Sequence, residues 1–326
     1  MPRGIVAREF GGPGVLVAED VPDREPGPAE VLVRVHAAGV NPADTYIRTG
    51  EYSFFKPSVP YTPGFDAAGV LEAVGSEVSN LQYGDRVFVA ALGLASSGSY
   101  AQQVVCDAAA VHPLPDRLSF HQGAGLGIPW TTAYRALFQR GNLQPGETVL
   151  IHGASGGVGN PAVQLAIAAG ATVIGTAGSE EGLELVRSLG AHHVLNHRSA
   201  GNLDSVPTLT GGRGIDLVVE MLASQNLEAD AELLAPRGRI VVVGSRGSLT
   251  FTPRVLMVRE ADVRGTALWN MTPAERKQAQ SAINQFSADT GPATATATVF
   301  PLDDAAKAHE HLMSQAALGK CLLDCT

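Results

Sequence analysis

Thr148-Val149-Leu150-Ile151-His152-Gly153-Ala154-Ser155-Gly156-Gly157-Val158-Gly159 reads as a short buried strand running into a glycine-rich turn. Residues 158–169 then carry a helical pattern that stops at Gly170, and Thr172-Val173-Ile174-Gly175 opens a second strand. Strand, glycine turn and helix in that order are the start of a βαβ unit that holds a dinucleotide. The glycines have a physical task. Gly156 has no Cβ to keep a pyrophosphate off the backbone, and Gly159 lets the helix lie close on the strand. The free N–H groups and positive dipole end of the helix attract the anion. Ala154 stands where the usual fingerprint has its first glycine. Asn160-Pro161 falls in the first helical turn, where a proline costs little because its N–H would be unpaired.

Downstream, strand and helix patterns keep alternating. Ser179 can cap a helix carrying Leu183, Val186 and Leu189, ended by Gly190. His193-Val194-Leu195, 215–220, 240–244 and 263–265 read as further strands, with a helix over 227–234. Continuous apolar strands between helices indicate a parallel sheet covered on both faces, a doubly wound domain. NAD sites carry an acidic residue about twenty positions on, bonded to the ribose. Here the second strand ends in Gly175-Thr176-Ala177-Gly178-Ser179 without a carboxylate, and His197-Arg198 after the third strand supply positive charge. The pattern favours NADP(H). Glu180-Glu181 are read as residues of a helix N-terminus, where acidic groups are favoured. Gly244-Ser245-Arg246-Gly247 follows a buried strand, at the end where ligands lie, and suits either cofactor contacts or a solvated loop.

The preceding residues, 1 to about 124, are rich in Val, Gly and Pro. Val31, Val33 and Val35 alternate with Leu32, Arg34 and His36, a strand with one face inward; 15–18, 65–74 and 86–89 are further strands. A compact, β-rich domain is expected there, with no long helix before about residue 119. Two Pro-containing segments, 39–48 and 60–66, suit either a ligand site or ordinary loops; Asn41, Asp44 and Tyr46 are the polar groups on offer. After 266, helices are expected from Thr272 and from Asp303 to about Met313. Residues 289–297 read as a polar surface stretch, and Lys320-Cys321-Leu322-Leu323-Asp324 as a closing strand that returns to the first domain.

Composition narrows the function. The 326 residues suggest about two domains, and 45% hydrophobic with 17% charged residues allows a large core. A net charge of −9 argues against nucleic-acid or anionic-membrane surfaces. No apolar run reaches a membrane span, and the N-terminus has no signal-peptide pattern, so a soluble cytoplasmic protein is expected. Cys106, Cys321 and Cys325 form no C-x-x-C, which fits a reducing compartment.

Taken together the motifs resemble the zeta-crystallin-like, zinc-independent quinone oxidoreductases of the medium-chain dehydrogenase/reductase superfamily. The resemblance runs through nearly the whole chain: Gly39-Val40-Asn41-Pro42, Thr45-Tyr46-Ile47-Arg48, Tyr61-Thr62-Pro63-Gly64, Gly84-Asp85-Arg86-Val87-Phe88, Gly127-Ile128-Pro129, Thr132-Ala133-Tyr134-Arg135, the glycine turn, Asn196-His197-Arg198, Glu220-Met221-Leu222-Ala223 and Val243-Gly244-Ser245-Arg246-Gly247. It implies a chaperonin-10-like catalytic domain (1–124, completed by 266–326), a Rossmann domain (125–265) and a cleft between them. It also implies that Tyr46 and Thr132 lie by the nicotinamide, and that Ser155, Gly156, Gly157 and Val158 hold the pyrophosphate. Gly178 and His197 would face the adenosine end, and Asn226, Gly244, Ser245 and Arg246 would complete the cofactor contacts. Zinc enzymes of the superfamily carry Cys and His where Asn41 and Phe65 stand, so no metal is expected. The expected activity is NADPH-dependent quinone reduction by one-electron or hydride transfer, with Tyr46 and Asn41 positioning the acceptor. Reduction of an enone or 2-alkenal double bond is the rival, and an RNA-binding or structural role is a third. A homodimer or homotetramer is implied by the family alone.

Overall fold

The computed structural model describes residues 1–90, 92, 97–291, 297–314 and 318–326. The chain divides into two compact units, Met1–Pro129 with Ala282–Thr326, and Trp130–Ser281.

In the first unit a seven-stranded sheet has the order Ala297–Pro301, Lys320–Asp324, Glu30–Val40, Asp66–Val74, Arg86–Val89, Val111–Pro113, with Gln103–Asp107 also paired to Glu30–Val40. The strand Glu30–Val40 is the spine. Its first half pairs antiparallel with Gln103–Asp107 and its second half with Lys320–Asp324, while Asp66–Val74 follows its other side. Two register shifts against Asp66–Val74 bend it enough to serve both partners. The alternation read in the sequence is real at the start: Val31, Val33 and Val35 are buried and Arg34 is exposed. From Ala37 to Val40 every residue is buried, because this half lies inside the sheet with structure on both faces. The closing strand thus packs in the interior of the first unit's sheet. Cys106, Cys321 and Cys325 are all buried and unbridged.

One expectation fails here. Residues 42–49, read as part of a loop, form an eight-residue helix, Pro42–Thr49. The local signals agree with the structure: Asn41 is extended at the N-cap, Pro42 takes the first helical position, and Asp44 Oδ2 accepts from Asn41 N at 2.8 Å. The apolar periodicity is too short to announce it, with only Ile47 as a buried aliphatic residue.

The second unit is a six-stranded, wholly parallel sheet in the order His193–Asn196, Thr172–Ala177, Thr148–Ile151, Ile215–Glu220, Leu234–Val242, Asp262–Gly265. The order reverses beside Thr148–Ile151, the central strand of a doubly wound fold. Leu150, Ile174, Val218 and Ile240 are fully buried in one cluster, as strands covered on both faces require. Helix Gly159–Ala168 has Pro161 in its first turn and Asn160 accepting from Gln164 Nε2 at 2.8 Å, so the proline is tolerated as expected. Ser179 Oγ caps helix Glu180–Ser188, whose first turn holds exposed Glu180 and Glu181. The helix read over 227–234 is longer, Ala223–Leu233, and helix Arg254–Arg259 carries no clear sequence signal. A further departure is a π-helical segment, Arg135–Arg140, following helix Ile128–Tyr134. Helices Pro273–Asp289 and Ala305–Met313 and strand Lys320–Asp324 follow the sequence pattern. Of the stretch 289–297, residues 292–296 lie outside the described residues.

Candidate active site

In the first unit, Asn41 is buried at the N-cap of helix Pro42–Thr49 and its carboxamide is fully engaged. Nδ2 donates to Asp66 Oδ2 at 2.8 Å and lies 3.4 Å from Gly39 O, and Oδ1 accepts from Lys320 Nζ at 2.6 Å. Lys320 Nζ also donates to Val40 O at 2.9 Å and stands 3.8 Å from Asp66 Oδ2. Asp66, fully buried, uses its other oxygen to accept from Ile128 N at 2.9 Å. An ammonium, an amide and a carboxylate therefore meet at the start of helix Pro42–Thr49. Neither the amide, turned to its neighbours, nor the Phe65 ring is a metal donor. Burial lowers the affinity of Lys320 for its proton, and the charges of Asp66 and Asp44 oppose that effect.

Behind Asn41, Asp44 Oδ2 accepts from Tyr100 OH at 3.0 Å, and Tyr100 OH lies 3.1 Å from His309 Nε2. Burial pushes the Asp44 carboxyl up to about 7, only partly offset by the Asn41 N–H. Burial lowers His309 to about 3, so its ring is neutral at physiological pH. Tyr46 is half-buried on the same helix, whose backbone at Tyr46 accepts from Thr49 Oγ1 at 3.0 Å and Glu51 N at 3.1 Å. The helix thereby fixes the Tyr46 backbone rigidly, while Asn41 acts on its surroundings by holding the helix start in place.

In the second unit, the glycine turn is tied to the second strand. Gly153 N donates to Thr176 Oγ1 at 3.2 Å, Ala154 N to Thr176 O at 2.7 Å, and Gly156 N back to Gly153 O at 2.9 Å. The N–H groups of Gly157, Val158 and Gly159 have no backbone acceptor among the described residues. They open the ten-residue helix Gly159–Ala168 and offer an anion both donors and the dipole end. A Cβ on Gly159 would run into the Gly153 carbonyl, so the close turn requires glycine there. Space and donors both fit a pyrophosphate.

The other residues expected around a dinucleotide fall at the carboxyl ends of the same strands. Gly178 follows Thr172–Ala177, with the His197 and Arg198 side chains lying over it. Both side chains are exposed, after strand His193–Asn196. Asn226 Nδ2 donates to both oxygens of Glu220 at 3.2 Å, at the end of Ile215–Glu220. Gly244 accepts from Ala223 N at 3.0 Å, and Arg246 O accepts from Ser224 Oγ at 2.9 Å, so the loops after the fourth and fifth strands of the order are bound together. Ser155, Gly156, Gly157, Val158, Gly178, His197, Arg198, Asn226, Gly244, Ser245 and Arg246 thus share one edge of the sheet, the edge where ligands of open parallel sheets bind. Thr132 is half-buried in helix Ile128–Tyr134, beside Thr131, whose hydroxyl accepts from Gln280 Nε2 at 2.8 Å. Asn41 and Tyr46 belong to the other unit.

Sequence reasoning did not single out Lys320, Glu220 or Asp230 for roles. Lys320 heads an apolar strand and looks like a solvated edge residue. Glu220 and Asp230 carry the only available signal, an acidic residue ending an apolar strand and another on the inner face of the next helix.

Comparison with known proteins agrees with the geometry. The family model described as alcohol dehydrogenase GroES-like domain matches residues 27–116, and that described as zinc-binding dehydrogenase matches 157–286. A quinone oxidoreductase of Rattus norvegicus is 45% identical over 98% of this chain and 97% of its own length. A 2-haloacrylate reductase of a Burkholderia species is 33% identical over 99% of both. The crystal structure of Escherichia coli quinone oxidoreductase complexed with NADPH superposes with a TM-score of 0.87 at 31% identity, covering 99% of each chain.

Proposed function

This chain belongs to the quinone oxidoreductases of the medium-chain dehydrogenase/reductase superfamily, and on that basis we propose that it reduces quinones with NADPH. The observation that carries the reading is the glycine turn at the start of helix Gly159–Ala168, with free N–H groups and no carboxylate at the end of the second strand. NADPH, when bound, would supply the reducing equivalents. Every other task falls to the protein. Gly157, Val158 and Gly159 hold the pyrophosphate, with Ser155 and Gly156 in the same turn. His197 and Arg198, over Gly178, meet the 2′-phosphate with a cation and a ring donor, where an acidic side chain would repel it. Asn226, Gly244, Ser245 and Arg246 line the next strand ends, and the family resemblance assigns Thr132 and Tyr46 to the nicotinamide.

A quinone is electrophilic enough to accept reducing equivalents once it is held in register. The buried Lys320 ammonium supplies positive potential near Asn41, and Tyr46 offers a hydroxyl to the oxygen on which charge develops. Asn41 itself serves as a positioning group, because its amide is already committed to Lys320 and Asp66. A steady-state assay of NADPH oxidation, run against ortho-quinones and 2-alkenals with NADH in parallel, tests the reading. Rapid alkenal turnover beside undetectable quinone turnover refutes it.

Reduction of an activated double bond is the second reading, favoured by the relative named a 2-haloacrylate reductase. A zeta-crystallin-like RNA-binding or structural role is supported only if RNA is retained at high salt and NADPH is not oxidised with any acceptor. Cytoplasmic placement and a homodimer or homotetramer complete the proposal. No described helix is long and apolar enough to cross a membrane, and the oligomer rests on the family resemblance. Sedimentation velocity tests the latter.

A further inference from the structure

Beside the glycine turn lies a cluster of titratable groups to which pyrophosphate binding assigns no task. His152 is 5% exposed, and Glu220 and Asp230 are fully buried. They come from three elements: the residue after strand Thr148–Ile151, the last residue of Ile215–Glu220, and helix Ala223–Leu233. His152 Nε2 lies 2.7 Å from Asp230 Oδ1 and 3.5 Å from Glu220 Oε2. The first of these is a hydrogen-bond distance, so His152 and Asp230 are directly paired.

Counting protons identifies the weak point. The His152 N–H serves Asp230 Oδ1, which leaves Asp230 Oδ2 buried without a donor and next to a second carboxylate. A proton on Glu220 resolves both problems, because it satisfies Asp230 and removes one of two like charges. The electrostatics agree. Burial, reinforced by Asp230, pushes Glu220 up to about 7. Burial works against a charged His152, yet the hydrogen bond and charge of Asp230 outweigh it and raise its proton affinity.

Glu220 is also the anchor of the neighbouring loops. Its side chain accepts from Leu222 N and from Asn226 Nδ2 at 3.2 Å, and its carbonyl accepts from Val243 N at 2.8 Å. On the other side, Thr176 Oγ1 holds Gly153 N and lies 3.5 Å from His152 Nδ1 and 3.4 Å from His197 Nδ1. We propose that Glu220 is a positioning residue for the dinucleotide: it anchors Asn226 and the 222–226 turn beside the glycine loop, and loss of its proton, which sets a second anion beside Asp230, weakens cofactor binding. This rests on the reading that NADPH lies on the glycine turn.

The sign follows from the charges. The groups facing Glu220 are His152 and Asp230, with the neutral donors Leu222 N and Asn226; His197 and Arg198 stand farther out. Ionised Glu220 adds a second anion next to Asp230 and near a ligand that carries phosphates. Bound NADPH therefore prefers the protonated form, and its affinity falls as pH rises through about 7. One unit charge about 10 Å from a phosphate, at an effective dielectric constant of about 20, changes a binding constant by about tenfold.

The test is to titrate NADPH onto the full chain and onto Glu220→Gln by cofactor fluorescence, from about pH 6 to about pH 9. Glutamine keeps an acceptor for Asn226 and donates an N–H to Asp230, as the protonated acid does. The 2′-phosphate itself titrates near pH 6, so the two proteins are compared at each pH, where the ligand's own protonation cancels. The wild-type Kd should rise about tenfold across the range while E220Q stays nearly flat at the acid-side value. Parallel profiles overturn the role of Glu220. No NADPH binding at any pH overturns the proposed function instead. Should E220Q not fold, the infrared band of a protonated carboxyl decides, followed in Asp44→Asn protein so that the other carboxyl of similar strength is removed. The band should persist to higher pH with NADPH bound, and an unchanged midpoint overturns the proposal.

Discussion

Lys320→Met withdraws the ammonium that contacts Asn41. Three interactions go with it: Nζ to Asn41 Oδ1 at 2.6 Å, Nζ to Val40 O at 2.9 Å, and the opposite charge 3.8 Å from Asp66 Oδ2. Asp66 is fully buried, and the donors it keeps include Asn41 Nδ2 at 2.8 Å and Ile128 N at 2.9 Å, both neutral. A hydrogen bond to a charged group contributes about 1.5–3 kcal/mol, and stranding a buried charge costs about 3–5 kcal/mol; these overlap, because the same charge enters both. The variant also escapes the desolvation that holds Lys320 below its ordinary proton affinity. The expected net loss is about 2–4 kcal/mol. Asp66→Asn should relieve part of it, so the double variant should lose less than the two single variants together, by about 1–3 kcal/mol. Hydrogen exchange of the amides in Glu30–Val40 and Lys320–Asp324, measured against urea, reads the first unit by itself. Additivity within about 0.5 kcal/mol would show that the two charges do not support each other and would remove the basis for an electrostatic role of Lys320.

Asp44→Asn should reverse a pH trend. The folded carboxyl is raised to about 7, so its stabilising contribution is complete below the unfolded value and is lost as pH climbs through 7; wild type should lose about 2–3 kcal/mol relative to D44N between about pH 5 and about pH 8 in urea unfolding. Gly159→Ala drives a methyl into the Gly153 carbonyl, and isothermal titration should show NADPH affinity reduced by about tenfold or more with the far-ultraviolet dichroism unchanged. Arg198→Ala should weaken NADPH by about tenfold and leave NADH nearly unaffected; an equal loss for both would place the 2′-phosphate elsewhere.

The second unit was legible because its information is local. Thr148–Ile151, the glycine turn and Ser179 each announce an element within a dozen residues, and the buried strands Thr172–Ala177 and Ile215–Glu220 advertise themselves by continuous apolar runs. Helix Pro42–Thr49 was missed although its cap residues were in view, because eight residues with one buried aliphatic give no period to read. The networks were out of reach for a different reason. Lys320 meets Asn41 across 279 positions and His152 meets Asp230 across 78. Nothing in the neighbourhood of either residue encodes its partner; the sheet order does, and that order exists only once the chain has folded. Asn41 shows the consequence most clearly. As a letter it offers donors and an acceptor to a substrate, whereas in the fold Asp66 and Lys320 have already taken them.

The placement of Lys320–Asp324 between Ala297–Pro301 and Glu30–Val40 has an implication for biosynthesis. During translation the spine strand emerges early but waits for this neighbour, Lys320 lying 279 positions beyond Asn41, while residues 130–281 can close their own parallel sheet in the interval. Through that interval one half of Glu30–Val40 is paired with Asp66–Val74 on one side and open on the other, an edge that chaperones would be expected to shield. The same late stitch delivers Lys320 to Asn41, so the helix bearing Tyr46 gains this anchor only after residues 130–281 have been made.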